Sequence, residues 1–440
     1  MNPLTIIVAT LLCAGLSAGA GAAENSSRLT LDEAIAKGLA ASHRLAELNA
    51  RQQGASAAAE GSHAARMPIV SAQAGYTRTS HVEEFGIQLP GGPFRVLYPD
   101  APDNYRTRLD LQWPIYTFGR ADALERAARA EADATGLDLA AARNDLKLEI
   151  TRAFWAVVTS TEAVRVVDES VKRMDAMLDD VRNSLKVGLV APNDVLSVEA
   201  QRARQQMLLI QARNSLELTL ADLRRLIGDP PDSPIALDAL LESAAAPVPP
   251  ADGLVATARG ARPDRKALET RVLAATGRRE ASVANRRPVI SVGGGVNLSN
   301  PNPMIFPRAA QWNESWDASV NFSWTFWDFG RTQADIAGAR AAERAAKERL
   351  LEFDTTLDVE VRQRRLDLDS ARAAVASAED SVRAATEARR VVGDRFAAGV
   401  ATPTDVLNAQ VALLQAGLDR TQALANVRLA EARLDRALGR

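Results

Sequence analysis

The residues best equipped for chemistry are few in this sequence, and their spacing does not suit them to it. The three histidines, His43, His63 and His81, are too far apart to place two imidazoles on one helix face or strand edge around a metal ion. The one cysteine, Cys13, lies inside an apolar leader, so a mature chain has neither a disulfide nor a thiolate. No phosphate-cradling loop or nucleophile motif is present; Gly293-Gly294-Gly295 falls within an alternating strand pattern, where it eases bending. Catalysis is therefore not expected, and no catalytic, cofactor or metal residue is assigned. Scarce Met and His also argue against a dedicated soft-metal carrier. The chain has 53 Lys and Arg against 55 Asp and Glu, for a formal net charge of −2. With both signs interspersed, no polyanion-binding surface and no nucleic-acid partner are expected.

The chemistry that remains is that of contact. Val187-Gly188-Leu189-Val190-Ala191-Pro192-Asn193-Asp194 and Gly399-Val400-Ala401-Thr402-Pro403-Thr404-Asp405 read as tight turns between helices. Glycine suits the end of one helix, proline the first turn of the next, and aspartate the positive end of that next helix. Capping accounts for those residue types. It leaves the apolar Leu189, Val190, Val400 and Ala401 at exposed tips, which suggests docking.

Two copies of one plan present these turns. Leu109–Arg120 recurs as Val320–Arg331, and Gly188–Leu196 as Gly399–Leu407, both at an offset of 211. Arg66–Ser71 recurs as Arg286–Ser291 at 220, so the first copy has the longer loop between its strands. Residues 1–22 read as a signal peptide, apolar and ending in small residues. The first copy spans 23–228, with strands at about 68–78 and 105–117 and a helical hairpin at about 119–228. A proline-rich linker occupies 229–262. The second copy spans 263–440, with strands at about 288–299 and 316–328 and a hairpin at about 330–440. A capping box, Thr30-x-x-Glu33, opens the first helix.

In the strands, Tyr105, Thr107, Leu109, Leu111, Trp113 and Ile115 alternate with Arg106, Arg108, Asp110 and Gln112. Trp316, Val320, Phe322 and Trp324 repeat the apolar face. Strict period two gives one apolar and one polar face, and about 9–11 residues also cross a tilted bilayer path. Sixteen of the 20 aromatics fall in windows 68–118 and 288–331, as in the girdles of membrane barrels. A half-exposed sheet on a soluble core remains the alternative. Four strands cannot close a barrel, so if the sheet lies in a membrane, several chains must share one.

No proline interrupts 121–186 or 332–396, which predicts helical rods of about 100 Å. Ala374, Val375, Ala378, Val382, Ala385, Ala388 and Val392 form a narrow seam on the second rod.

Taken together, Leu29–Ile35, Arg262-Pro263-Asp264, the Phe-Gly-Arg elements at 118–120 and 329–331, and the two turns resemble the TolC family of outer-membrane efflux channels. The resemblance covers nearly all of the mature chain. It implies a mainly α fold with a membrane β-barrel portion, assembled as a homotrimer with a 12-stranded barrel above a 12-helix periplasmic tunnel. It further implies location in the outer membrane of a Gram-negative type envelope. The channel would be a passive exit duct for tripartite efflux or type I secretion, opened at its tip by a periplasmic adaptor and an inner-membrane pump. Val187, Gly188, Leu189, Val190, Pro192, Asp194, Gly399, Val400, Ala401, Pro403 and Asp405 become adaptor-docking tips. Leu109, Leu111, Trp113, Val320, Phe322 and Trp324 become the lipid face, and Asp179, Asp180, Asp380 and Glu387 candidates for a luminal constriction. A periplasmic coiled-coil adaptor or a structural protein without a pore is the other reading.

Overall fold

The computed structural model describes residues 28–241 and 251–440; the expected leader and Pro247, Pro249 and Pro250 lie outside the described residues. In chain order the elements are α1 (Leu31–Ala41), α2 (His43–Ala64), β1 (Ile69–Arg78), β2 (Phe85–Gln88), β3 (Phe94–Tyr98), β4 (Asp103–Tyr116), α3 (Arg120–Lys186) and α4 (Pro192–Ile227). The second half adds α5 (Ala251–Ala261), α6 (Pro263–Ala284), β5 (Val289–Asn300), β6 (Asn313–Ser323), α7 (Arg331–Ala397) and α8 (Pro403–Ala437).

Each copy opens with two helices where the sequence suggested one. Ser42 leaves helical geometry at ψ 111° and its hydroxyl accepts from Leu45 N at 3.3 Å, ending α1 and capping α2. Helix α5 lies within the segment expected to be linker, so the second copy begins near residue 251 rather than 263. Flanking prolines and the lack of a capping box hid it. The expected Thr30–Glu33 box is present, with Thr30 N 2.9 Å from Glu33 Oε2.

The two copies build equivalent cores. Helix α1 packs on α3 and α4 through Ala34, Ile150, Phe154 and Leu223; α5 packs on α7 and α8 through Leu254, Leu357, Val361 and Val427. A Cβ on Gly38 would collide with Ile150 Cδ1. The equivalent pair is Ala258 beside Val361: one side chain gains a methyl where the other loses one.

Helices α3 and α7 have 67 residues each, about 100 Å of rod. Near the strands the helices lie side by side in the order α2-α3-α6-α7; farther away the order is α4-α3-α8-α7. The layer therefore has two open edges, α2 with α4 on one side and α7 on the other. The expected seam is partly buried: Val375 is 4% exposed and Ala378 packs beside it, whereas Ala374 and Ala388 face outward.

The α5–α6 junction is held by Arg262, whose side chain is 4% exposed and donates to Asp264 at 2.6 Å and to Glu360. Arg436 joins Glu360 at 3.2 Å and Asp145 on α3 at 2.8 Å. Burial works against the charge on Asp264, but the Arg262 hydrogen bonds hold its carboxyl below the ordinary range. The Asp264 contribution is thus present above the ordinary carboxylate pKa and is lost as pH falls through the depressed value. Arg262→Ala leaves the half-buried Asp264 without its ion partner and Glu360 with Arg436 alone, and is expected to cost about 1–3 kcal/mol, read as a lowered thermal midpoint in detergent. An unchanged midpoint would show the cluster to be ornamental.

Candidate functional site

The four-stranded antiparallel sheet has the order β1-β4-β5-β6, which leaves β1 and β6 as free edges. Its register carries the faces seen in single strands across the whole sheet. Ala72, Leu109, Val296 and Trp316 form one cross-strand row; Ser71, Asp110, Gly295 and Asp317 form a row on the other face. Every position of β1 is exposed, and Leu109, Leu111, Trp113, Val320, Phe322 and Trp324 are between 40% and 74% exposed. A soluble half-buried sheet would hide this face; here the apolar side is the bare one.

The polar face is knitted together instead. Arg108 donates to Asp110 at 2.5 Å and pairs with Asp317 at 2.7 Å, and Arg106 donates to Asn297 at 3.2 Å. Asp110 and Asp317 flank Gly295 in register, and a Cβ there would lie 2.8 Å from Arg108 Nη2. Gly295 gives Arg108 room to cross β5, a reason the strand pattern did not contain.

Aromatic groups collect at both strand ends. Tyr76, Tyr105 and Trp312 stack at centroid distances of 5.1 and 5.8 Å at one end. At the other, the Trp113 and Trp324 indoles donate to the Arg66 and Arg286 carbonyls, each at 3.0 Å. From Tyr105 to Trp113 the strand runs roughly 27 Å, close to the roughly 25 Å apolar band of outer-membrane barrels. Strand β6 starts at Asn313 and ends at Ser323, earlier at both ends than expected. Its partner begins at Val289 opposite Ser323, so Trp324 and the following residues have no strand to pair with among the described residues. The longer first loop contains the small β2–β3 hairpin. In both copies Phe-Gly turns the strand into the rod with two left-handed residues, Phe118 and Gly119 at φ 50° and 88°, Phe329 and Gly330 at 53° and 91°.

At the far ends of the rods, Gly188 and Gly399 adopt φ 77° and 74°. Leu189 N and Val400 N reach back to the Ser184 and Arg395 carbonyls at 2.9 Å each, closing both helices in the same way. Thr402 and Asp405 form a full capping box, and the Thr402 backbone hydrogen bond holds the Asp405 carboxyl below its ordinary range. Ala191 has no hydroxyl, so Asp194 only accepts from Ala191 N, at 3.2 Å. Both aspartates are thus engaged in caps. Val187, Leu189 and Val400 are 70%, 77% and 63% exposed. Val190 turns inward onto a core shared by α3, α4 and α8, built from Met177, Val181, Val198 and Val406. Pro403 is buried and Pro192 exposed, because α8 lies between two helices and α4 lies at an edge. A groove of about 930 Å³ separates the tips, with Leu189, Val190, Gly399 and Ala401 on its walls beside Asp180, Arg173 and Arg389.

The acidic candidates divide. Asp380 pairs with Arg383, and Glu387 with Arg390 at 2.6 Å, each on its own helix. Asp179 and Asp180 are exposed. Two of the histidines contact carboxylates: His81 meets Asp100 at 2.6 Å and His63 meets Glu125 at 3.0 Å. Arg66 hydrogen bonds hold the Glu125 carboxyl below its ordinary range despite burial. No group of His, Cys, Asp and Glu among the described residues is arranged to hold a metal ion.

A sequence profile described as outer membrane efflux protein matches residues 34–229 and 254–440. The chain belongs to the outer membrane efflux protein family. Both matched blocks begin at equivalent points in α1 and α5, in keeping with the second copy's earlier start. Protein CyaE of Bordetella pertussis is 26% identical over 359 residues, covering 79% of this chain and 73% of that protein. The cobalt-zinc-cadmium resistance protein CzcC of Cupriavidus metallidurans is 25% identical over 366 residues, covering 80% and 82%. The Campylobacter jejuni outer membrane channel CmeC has the same fold, with a TM-score of 0.80 at 15% identity over 93% of this chain and 85% of that one. The protein is an outer-membrane efflux channel subunit whose helices extend into the periplasm.

Proposed function

We propose that three copies close a common barrel and continue as a helical tunnel, forming the passive exit duct of a tripartite efflux or type I secretion assembly. The carrying observation is a four-stranded sheet with two unpaired edges and an uncovered apolar face. Unpaired backbone in lipid costs several kcal/mol per group, so the edges must be paired by another chain. Three copies supply twelve strands, within the range of outer-membrane barrels.

At the periplasmic end, an adaptor and an inner-membrane pump meet the tips, and Val187, Leu189 and Val400 supply the apolar contact. Gly188 and Gly399 let a partner's backbone approach, while Pro192, Asp194, Pro403 and Asp405 shape the turns. Of the acidic candidates, Asp179 and Asp180 fit a luminal constriction better than Asp380 and Glu387, whose charges are met by neighbouring arginines. Native mass spectrometry in detergent is expected to show a three-chain species, and planar bilayers a conductance from the same fraction. A folded, membrane-inserted single chain would overturn the reading.

A further inference from the structure

The polar face of the sheet is not evenly open. Asn297 and Ser299 on β5 are 4% and 2% exposed, although they share that face with Arg106 and Arg108. The β5–β6 connection covers this stretch. Its Asn302 is buried and donates through Nδ2 to the Asn313 carbonyl and to Ser315 Oγ, each at 3.0 Å. Ser315 stands opposite Asn297 in register, so the connection turns back onto the polar face. Strand β6 leads on into α7, which puts the connection at the end of the sheet away from the rods. The loop of the first copy meets it there. Arg308 N donates to the Leu97 carbonyl at 3.2 Å, and the Arg308 guanidinium lies 4.7 Å from the Tyr98 ring centre.

Between this connection and strands β1 and β4 lies a cavity of about 300 Å³. Arg106, Arg108 and Arg308 line it together with Thr77, Asn104 and Ser299, and no carboxylate stands on its wall. Asp110 and Asp317 are the only carboxylates on the polar face of the four strands, and Arg108 engages both. Arg106 donates through Nε to Asn297, and among the described residues it meets no carboxylate. Arg308 meets none either; its neighbour is the Tyr98 ring. Two guanidinium groups therefore face one cavity with their charge unmet.

A guanidinium presents paired N–H donors that match the two oxygens of a carboxylate or phosphate. A cleft lined by one sign of charge, with walls of low dielectric, also concentrates ions of the other sign. Pro301 and Pro303 form such a wall here. The volume lies at the lower end of small-molecule sites, about 300–1,000 Å³, so the cavity admits more than a bare ion.

We propose that each copy carries a binding site for a small organic anion, a carboxylate or phosphate ester, gripped by Arg106 and Arg308 beneath the β5–β6 connection. The site is built within one chain. On the shared-barrel reading above, three of them ring the lumen near its outer mouth, where an exported anion meets them last. Arg108 positions the wall by crossing to Asp317, and Thr77 adds a hydroxyl on the β1 side.

The test is calorimetric titration of the full-length protein in detergent with phenyl phosphate, alongside inorganic phosphate. The variants are R106Q, R308Q and R95Q, the last removing an arginine from the β2–β3 hairpin without touching the cavity. Saturable binding of phenyl phosphate at about one per chain is expected. It should weaken about tenfold or more in R106Q and in R308Q and hold in R95Q. In planar bilayers, phenyl phosphate on the outer side should reduce the current of the unaltered channel and of R95Q only. Equal weakening in all three variants, or binding of inorganic phosphate but not phenyl phosphate, would overturn the organic-anion site. A conducting three-chain species that binds neither probe would remove the site and leave the shared barrel. Binding by single chains that never conduct would remove the barrel and leave the site.

Discussion

Arginine in place of Leu109 or Val320 is expected to cost about 2–4 kcal/mol at each site near the bilayer midplane. Both residues lie on the bare apolar face, and Leu109 lies between the Tyr105 and Trp113 aromatic ends of β4. Every copy in the assembly carries the substitution, so the cost is multiplied and heat-resistant assemblies should be largely lost from the outer membrane. Arginine at Gln112 or Asn321 points to the polar face already occupied by Arg106 and Arg108 and is expected to be tolerated. The measurement is the fraction of heat-resistant oligomer on gels for the four variants. Equal resistance in all four would mean that the strands do not face lipid in this way.

The second large effect is expected at the tips. Changing Leu189 and Val400 together to aspartate should leave assembly intact, since both side chains are largely exposed and outside the core that joins the hairpins. Fully burying such a side chain is worth roughly 1.5–3 kcal/mol. Losing two and adding two buried charges therefore weakens docking on the order of a hundredfold or more. Export and adaptor crosslinking should both collapse while the amount of assembled channel holds. Normal export by the double variant would show that the docking surface lies elsewhere.

The tips also show how far local pattern carries. Asp194 and Asp405 occupy equivalent positions and were legible as capping residues, and both cap. Pro192 and Pro403 were equally equivalent, yet one is exposed and one buried, because a neighbour on each side covers α8 and not α4. Glu125 and Ile336 show the converse in the rods, two chemically different side chains at equivalent positions that are both buried. They are 6% and 2% exposed at matching positions, the first an ionisable side chain held by Arg66, Arg129 and His63, the second apolar. No spacing rule in α3 marked Glu125 as buried, since His63 and Arg66 come from the end of α2 and the residues just after it, about sixty residues away.

What the amino-acid sequence determined by itself was everything set by residues near one another along the chain. The alternation from Tyr105 to Ile115, the proline-free rods, the glycine-ended turns and the recurrence at 211 are local or periodic properties, and backbone geometry turns each into an element. The tertiary structure decided what depends on neighbours remote in sequence. It placed α5 in the second copy's core, ended β6 where β5 no longer faces it, and gave Gly295 the task of letting Arg108 pass. It also left one of two matching alanine faces buried and the other bare. Burial is a property of contacts, and two copies with the same pattern acquire different contacts once one pair of edges meets inside the chain and the other pair is left open.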